Sequence, residues 1–349
     1  MVIFNINNVS KLISIISTKF YIASESHYCY FQLSHITVGE VTTMSFLTKH
    51  KYTLCGILAI LLWSSLTALI RDISELFSPT AGAAMIYSVS TVFLFVVMGV
   101  PRLKQFPKQY LIVGGILFVI YEICLALSLG LANSRRQSME MAIINYLWPA
   151  LTILLSVIVS NKKVNPLLYP SIALAFIGVA WCISGEQPLS IALISQNVIG
   201  NPIPYLLAFS GALIWAVYCT ITKKMSDGQN PISLFFMATA TSLWIKYAMG
   251  SEPSLTFTWE SSVTVLIAGI TIGSGYALWN HAIVGGNIIL LGTLSYFIPI
   301  FATLFSVVYL EVSLSHSFWQ GVALVTFASL MCFFITREKR SKPLPTQNA

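Results

Sequence analysis

The sequence predicts an all-α integral membrane protein: ten transmembrane helices arranged as two inverted five-helix repeats. Three observations predict it: a lipid-soluble composition, a succession of apolar runs of bilayer length, and Trp, Tyr and Pro positions duplicated at one offset. Of 349 residues, 56% are hydrophobic and only 9% are charged, whereas soluble globular chains carry about 25% charged residues. So few charges cannot cover a chain of this size in water, and its solvent is mostly lipid. The basic residues sit in short clusters between apolar runs, as in cytoplasmic loops, and leave no nucleic-acid footprint. Six cysteines (Cys29, Cys55, Cys124, Cys182, Cys219, Cys332) show no CxxC spacing. They read as small buried apolar residues, so neither a metal site nor a cofactor is expected.

Residues 1–43 differ from the rest. Lys11 and Lys19 interrupt the apolar residues, and no run reaches the ~20 residues a spanning helix needs. The segment suits an amphipathic surface helix or a stretch outside the fold, and it lacks the layout of a signal peptide. Met44, followed by Lys49 and Lys51, is the expected functional start. The spans then follow in quick succession: Tyr52–Ile70, Thr80–Val100, Gln109–Leu131, Met139–Ser160, Pro166–Ser184, Tyr205–Thr222, Pro231–Gly250, Ser261–Ala282, Asn287–Leu310 and Phe318–Thr336. Short polar turns join most of them, and a basic, polar tail follows from Arg337.

Loop charges orient the array. One side collects Lys49, Lys51, Arg102, Lys104, Lys108, Lys162, Lys163, Lys223, Lys224, Arg337, Lys339, Arg340 and Lys342. The other holds Arg71, Arg135, Arg136 and Lys246 among Asp72, Glu75, Glu186, Glu252, Glu260 and Glu311. The first side is therefore cytoplasmic, with both termini on it.

The duplication appears in Ala59-Ile60-Leu61-Leu62-Trp63-Ser64 against Gly211-Ala212-Leu213-Ile214-Trp215-Ala216, with Arg71 and Lys223 at the same distance past each Trp. Asn145-Tyr146-Leu147-Trp148-Pro149 and Ser295-Tyr296-Phe297-Ile298-Pro299 repeat at nearly the same offset. Five spans per unit is odd, so the second unit enters the membrane from the opposite face, as in inverted-repeat transporters. In each Tyr–Pro segment the Pro frees a backbone carbonyl that other groups must satisfy. Such a segment serves either as a helix-packing kink with interfacial aromatics or as a substrate site at mid-membrane.

Glu122 lies near the middle of the third span, where an acidic residue costs roughly 2.5–3.5 kcal/mol on insertion scales. Two roles suit it: partner of a substrate ammonium or proton carrier, or a protonated carboxyl bonded to a helix carbonyl. Glu140 opens the fourth span, where the helix dipole favours an acid, although Glu140, Ile144 and Trp148 share one broad face. Trp279-Asn280-His281 closes the eighth span near the cytoplasmic side. Trp63 and Trp215 stand near the middles of their spans, a depth that suits a cavity wall better than an aromatic belt, and Tyr87 is placed to line the same cavity. No Walker P-loop, Arg-rich span, HExxH or Ser/His/Asp constellation appears, which argues against nucleotide hydrolysis, voltage sensing and a membrane enzyme.

These residues resemble the drug/metabolite transporter superfamily with its EamA repeat. The resemblance is carried by Leu62-Trp63-Ser64, Gly82-Ala83-Ala84, Ile86-Tyr87-Ser88, the stretch Tyr121 to Gly130, Asn145 to Pro149, Trp215-Ala216, Trp279-Asn280, Gly286-Asn287, Ser295-Tyr296-Phe297 with Pro299, and Ser317 to Gly321. It covers Met44 to about Thr336, with 44–185 as the first EamA-type repeat and 204–336 as the second. It implies a bacterial inner-membrane exporter of aromatic amino acids working by alternating access, with a multidrug-type exporter of organic cations as the rival. The implied substrate-binding set is Trp63, Tyr87, Tyr121, Glu122, Tyr146, Trp148, Trp215, Trp279, Asn280 and Tyr296, with Pro149 and Pro299 as hinges. The expected partners are a small-molecule substrate and the bilayer, without nucleic acid, and a monomer is expected.

Overall fold

The computed structural model describes residues 38–160, 165–184, 190–227, 229, 231–285, 291 and 294–336. The expected extension and tail therefore lie outside the described residues, apart from residues 38–43, and so does most of the first part of the ninth expected span. The chain divides into two units, Met1–Lys51 and Tyr52–Ala349. The described part of the first is a helical stretch from Val38 that opens α1 (Val38–Ser64).

Every regular element in the described part of the second unit is helical. After α1 come α2 (Leu66–Leu76), α3 (Pro79–Met98), α4 (Lys108–Gly130), α5 (Arg135–Asn145), α6 (Trp148–Ser160), α7 (Leu168–Ile183) and α8 (Ile191–Gly200). Then follow α9 (Pro202–Met225), α10 (Ile232–Met249), α11 (Trp259–Gly285), α12 (Ile298–Tyr309) and α13 (His316–Thr336). Among the described residues, eight helical stretches are long and apolar enough to cross a membrane: Lys51–Leu76, Pro79–Met98, Lys108–Gly130, Arg135–Leu155, Pro202–Thr222, Ile232–Met249, Trp259–Trp279 and His316–Ile335. The fifth expected span is the 16-residue α7, about 24 Å long at 1.5 Å per residue, short of a ~30 Å hydrocarbon core. The described part of the ninth is chiefly the 12-residue α12. Helix α8 was not expected; it is apolar yet has no buried residue.

Local chemistry sets the boundaries. Pro79 starts α3, where its missing N–H costs nothing, and the Ser78 hydroxyl accepts from the Ala81 amide at 3.1 Å. The Ser134 hydroxyl caps α5 in the same way through the Gln137 amide at 3.1 Å. The first span is interrupted between α1 and α2. There the Ser64 and Ser65 hydroxyls donate to the carbonyls of Ile60 and Leu62 at 2.8 and 2.7 Å, a back-bonding that bends helices.

Both Tyr–Pro segments are helix breaks. Helix α5 ends at Asn145, Tyr146 and Leu147 form a turn, and α6 starts at Trp148. In the second copy Ser295 is helical, Tyr296 and Phe297 form the turn, and α12 starts at Ile298. Each turn is tightened by an i−3 bond of 3.1 Å, Leu147 N–H to Ile144 O and Phe297 N–H to Leu294 O. Pro149 and Pro299 are the second residues of the helices that follow, where proline is tolerated, so each begins a half-helix rather than kinking a continuous one.

The main helix contacts cross between the two halves of the sequence: α7 with α13, α4 with α9, α3 with α10, and α3 with α11. Glycine permits the first. A Cβ at Gly178 would come within 2.9 Å of the Val325 amide nitrogen and 3.0 Å of the Gly321 carbonyl, and one at Gly321 would strike the Cys182 sulfur. Small residues at such crossings let membrane helices pack backbone to backbone.

Candidate functional site

Where the halves meet, a cavity of about 70 Å³ opens between the helix breaks. Helices α1 and α2 contribute Trp63, Leu66 and Thr67; α4 contributes Tyr121 and Leu125; α5 and the turn after it contribute Ala142, Asn145 and Tyr146. Trp148, Trp215, Tyr276 and Ile298 complete the wall.

The wall is a continuous group of rings. Trp215 stacks between Tyr121 and Tyr218, with centroids 4.3 and 4.8 Å away, and Trp148 meets it edge-on at 6.4 Å. Trp63 contacts Tyr276 and Trp279, each at 5.1 Å. Such pairs contribute about 0.5–1.5 kcal/mol each beyond area burial, so the wall is self-supporting and presents π faces and edges inward. Two buried polar atoms of lining residues have no hydrogen-bond partner among the described residues: the Trp63 indole nitrogen and the Asn145 side-chain oxygen.

Glu122 sits behind this wall. It is 0% exposed. The Tyr87 hydroxyl donates to its Oε2 and the Tyr276 hydroxyl to its Oε1, both at 2.6 Å. One carboxylate thereby ties α3, α4 and α11 together. Glu122 is not among the residues that line the cavity, whereas Tyr276, which bonds its Oε1, is.

The expected site residues thus separate. Trp63, Tyr121, Tyr146, Trp148 and Trp215 meet around the cavity. Tyr87 and Glu122 do not line it; each satisfies the other. Trp279 backs Trp63 from outside the lining, and Tyr296 packs against Phe333 at 5.7 Å. The side chain of Asn280 lies outside the described residues.

Sequence reasoning missed Tyr276, Thr67 and Asn145 as wall residues. Tyr276 falls one helical turn before Trp279 and follows Gly273-Ser274-Gly275, a signal that was present. A Cβ at Gly275 would come within 2.9 Å of the Trp63 indole nitrogen, so glycine there admits the indole. Asn145 lay inside a highlighted motif, yet as one amide among large rings it carried no separate signal.

A second, polar cavity of about 710 Å³ lies at the α5–α8–α9 end, with Arg136, Gln137, Glu140, Asn197, Asn201 and Tyr205 among its lining. Glu140 is 4% exposed; it accepts from the Tyr205 hydroxyl at 2.7 Å and stands 3.7 Å from Arg136. At the same end of α4, the buried Arg71 donates to Glu75 at 2.7 Å and to the Ala132 carbonyl at 2.6 Å. Arg135 bridges Glu75 at 2.8 Å to the Leu310 carbonyl at 2.8 Å, and Tyr309 donates to Asp72 at 2.8 Å. Among the described residues no cluster of potential metal ligands occurs, and Cys124, Cys182 and Cys219 form no disulfide.

Comparison with known proteins places this geometry. The model of the EamA-like transporter family matches residues 50–184 and 202–334. The chain is 44% identical over 293 residues to the aromatic amino acid exporter YddG of Salmonella typhimurium (strain 14028s / SGSC 2262), spanning 84% of this chain and 100% of that protein. It is 43% identical over 291 residues to the aromatic amino acid exporter YddG of Escherichia coli (strain K12), spanning 83% and 99%. The protein of the same name from Ancylobacter novellus is 26% identical over 271 residues, spanning 75% and 90%. A solved crystal structure superimposes with a TM-score of 0.59 at 25% identity, covering 81% of this chain and 98% of its own.

Proposed function

The chain belongs to the EamA-like transporter family, and from that premise we propose that it exports aromatic amino acids across the bacterial inner membrane. The relatives at 43–44% identity over nearly their full lengths carry that activity in their names. The observation that carries the proposal is the ring-lined cavity at the junction of the two helix breaks. Its walls offer stacking and edge contacts to a phenyl, phenol or indole ring.

At about 70 Å³ the cavity is well below the ~300–1,000 Å³ of small-molecule sites. Substrate therefore enters by parting Trp148 and Trp215, which stand on α6 and α9, one from each half. The breaks at Tyr146–Leu147 and Tyr296–Phe297, each followed by a proline-started half-helix, are the hinges for that motion. On this proposal ten spans form two inverted repeats, 44–185 and 204–336, that exchange inward-open and outward-open states around one site in a monomer. Both termini are cytoplasmic, as the Lys and Arg distribution favours. The paired Arg71, Glu75, Arg135 and Asp72–Tyr309 contacts then lie at the outer end and close it in the conformation described.

Among the described residues the lining includes no carboxylate, and Glu122 is occupied by two tyrosines. That favours amino acids over organic cations as cargo. Purified protein in liposomes should take up labelled Phe, Tyr and Trp saturably, and a Trp148→Ala, Trp215→Ala double variant should abolish the flux. Undiminished flux in that variant would remove the site from consideration.

A further inference from the structure

We infer that Trp63 and Asn145 read the two charged ends of an amino acid, the indole N–H donating to the α-carboxylate and the Asn145 Oδ1 accepting from the α-ammonium. This rests on the export of amino acids proposed above. Four buried side-chain polar atoms among the described residues have no hydrogen-bond partner: Trp63 Nε1, Asn145 Oδ1, Ser138 Oγ and Ser306 Oγ. Only the first two belong to residues that line the ring-walled cavity. One is a donor with no acceptor and the other an acceptor with no donor, and a buried polar group left unpaired is costly. Among the described residues no charged side chain lines the cavity, so a zwitterion there is met by neutral dipoles.

The fold places the two dipoles with the polarity a zwitterion needs. Asn145 is 5% exposed and is the last residue of α5. The C-terminal end of a broken membrane helix carries partial negative charge and favours a cation. The acceptor and the helix end therefore point to the ammonium together. Trp63 belongs to α1 and lies against Gly275 of α11, with its ring held by Tyr276 and Trp279. Its ring is thus held in place before any ligand arrives, and a preorganised donor binds a carboxylate with little ordering cost. The aromatic side chain is left to Tyr121, Trp148 and Trp215.

The test is inhibition of labelled Phe uptake into liposomes by two truncated analogues: phenethylamine, which lacks the carboxylate, and 3-phenylpropionate, which lacks the ammonium. Wild-type protein should prefer Phe over both by roughly 10- to 100-fold, the worth of one charge-assisted hydrogen bond. Trp63→Phe, which keeps a ring in the wall, should raise the KM for Phe by a similar factor and leave inhibition by phenethylamine unchanged. Asn145→Ala should do the same relative to 3-phenylpropionate, and Asn145→Asp, which keeps the acceptor, should retain Phe and strengthen phenethylamine. Wild-type preference near unity, or a loss in either variant that is equal for Phe and its matched analogue, would overturn the assignment. Wild-type protein that moves no amino acid would instead defeat the exporter function itself. Binding of the three compounds to detergent-purified protein, followed by intrinsic fluorescence, supplies the same ratios for any variant that folds but does not transport.

Discussion

Removing both hydroxyls that hold Glu122 tests how α3, α4 and α11 are locked together. Tyr87→Phe and Tyr276→Phe keep the rings. Tyr87 still packs on Phe236 at 5.5 Å, and Tyr276 still contacts Phe236 at 5.0 Å and Trp63 at 5.1 Å. What is lost is two O–H···O bonds of 2.6 Å. Leaving a buried polar group without its partner costs roughly 1–3 kcal/mol per bond, so the double variant should lose about 2–6 kcal/mol. Most of that is the cost of a carboxyl at 0% exposure left without a donor. Adding Glu122→Met to the double variant removes the orphan as well, and stability should recover by several kcal/mol, although Glu122→Met alone should destabilise by stranding both hydroxyls. Equilibrium unfolding in mixed micelles, followed by helical circular dichroism, measures all four proteins. A double variant within ~1 kcal/mol of wild type, or no recovery on adding Glu122→Met, would refute the clamp.

Three further outcomes follow from the packing and the end charges. Gly178→Ala or Gly321→Ala should each cost about 1–3 kcal/mol in the same unfolding assay, because the added methyl forces α7 and α13 apart; a neutral effect at both would mean the crossing is looser than described. Arg71→Met should cost about 2–3 kcal/mol, since it strips the donor from the carbonyls of Leu129, Gly130 and Ala132 at the C-terminal end of α4, and Arg71→Lys should restore only part of it. At Glu252, in the loop between α10 and α11, partial burial raises the carboxyl's pKa. Hydrogen bonds from Ser78 and Thr80 and the Lys246 ammonium outweigh that and hold it below the ordinary carboxylate range. Its folded value lies below its unfolded one, so the contribution is complete above about pH 4.3 and is lost as pH falls through the folded value. The advantage of wild type over Glu252→Gln in thermal unfolding should shrink below that pH; an equal gap at pH 3 and pH 7 would contradict it.

Much of the molecule follows from its sequence alone because hydropathy and proline chemistry are local. Apolar runs of bilayer length become helices since lipid offers the backbone no other partner. Pro149 and Pro299 disrupt any helix that would run straight through them, so the paired breaks were legible as paired motifs. The burial of Glu122 was legible too, from its depth in an apolar run. Which groups meet was not. Periodicity says that a residue faces inward, and not which of several inward-facing helices it meets. Glu122 and Tyr87 each suited a cavity wall, until the packing of α3, α4 and α11 joined them with Tyr276, 154 residues from Glu122 in the chain. The same packing, allowed by glycines at Gly178, Gly275 and Gly321, set Trp63 and Asn145 on one cavity with their polar atoms unpaired. Local sequence determined the elements and their breaks; the contacts between halves, distant in the chain and therefore invisible to any window along it, decided the site.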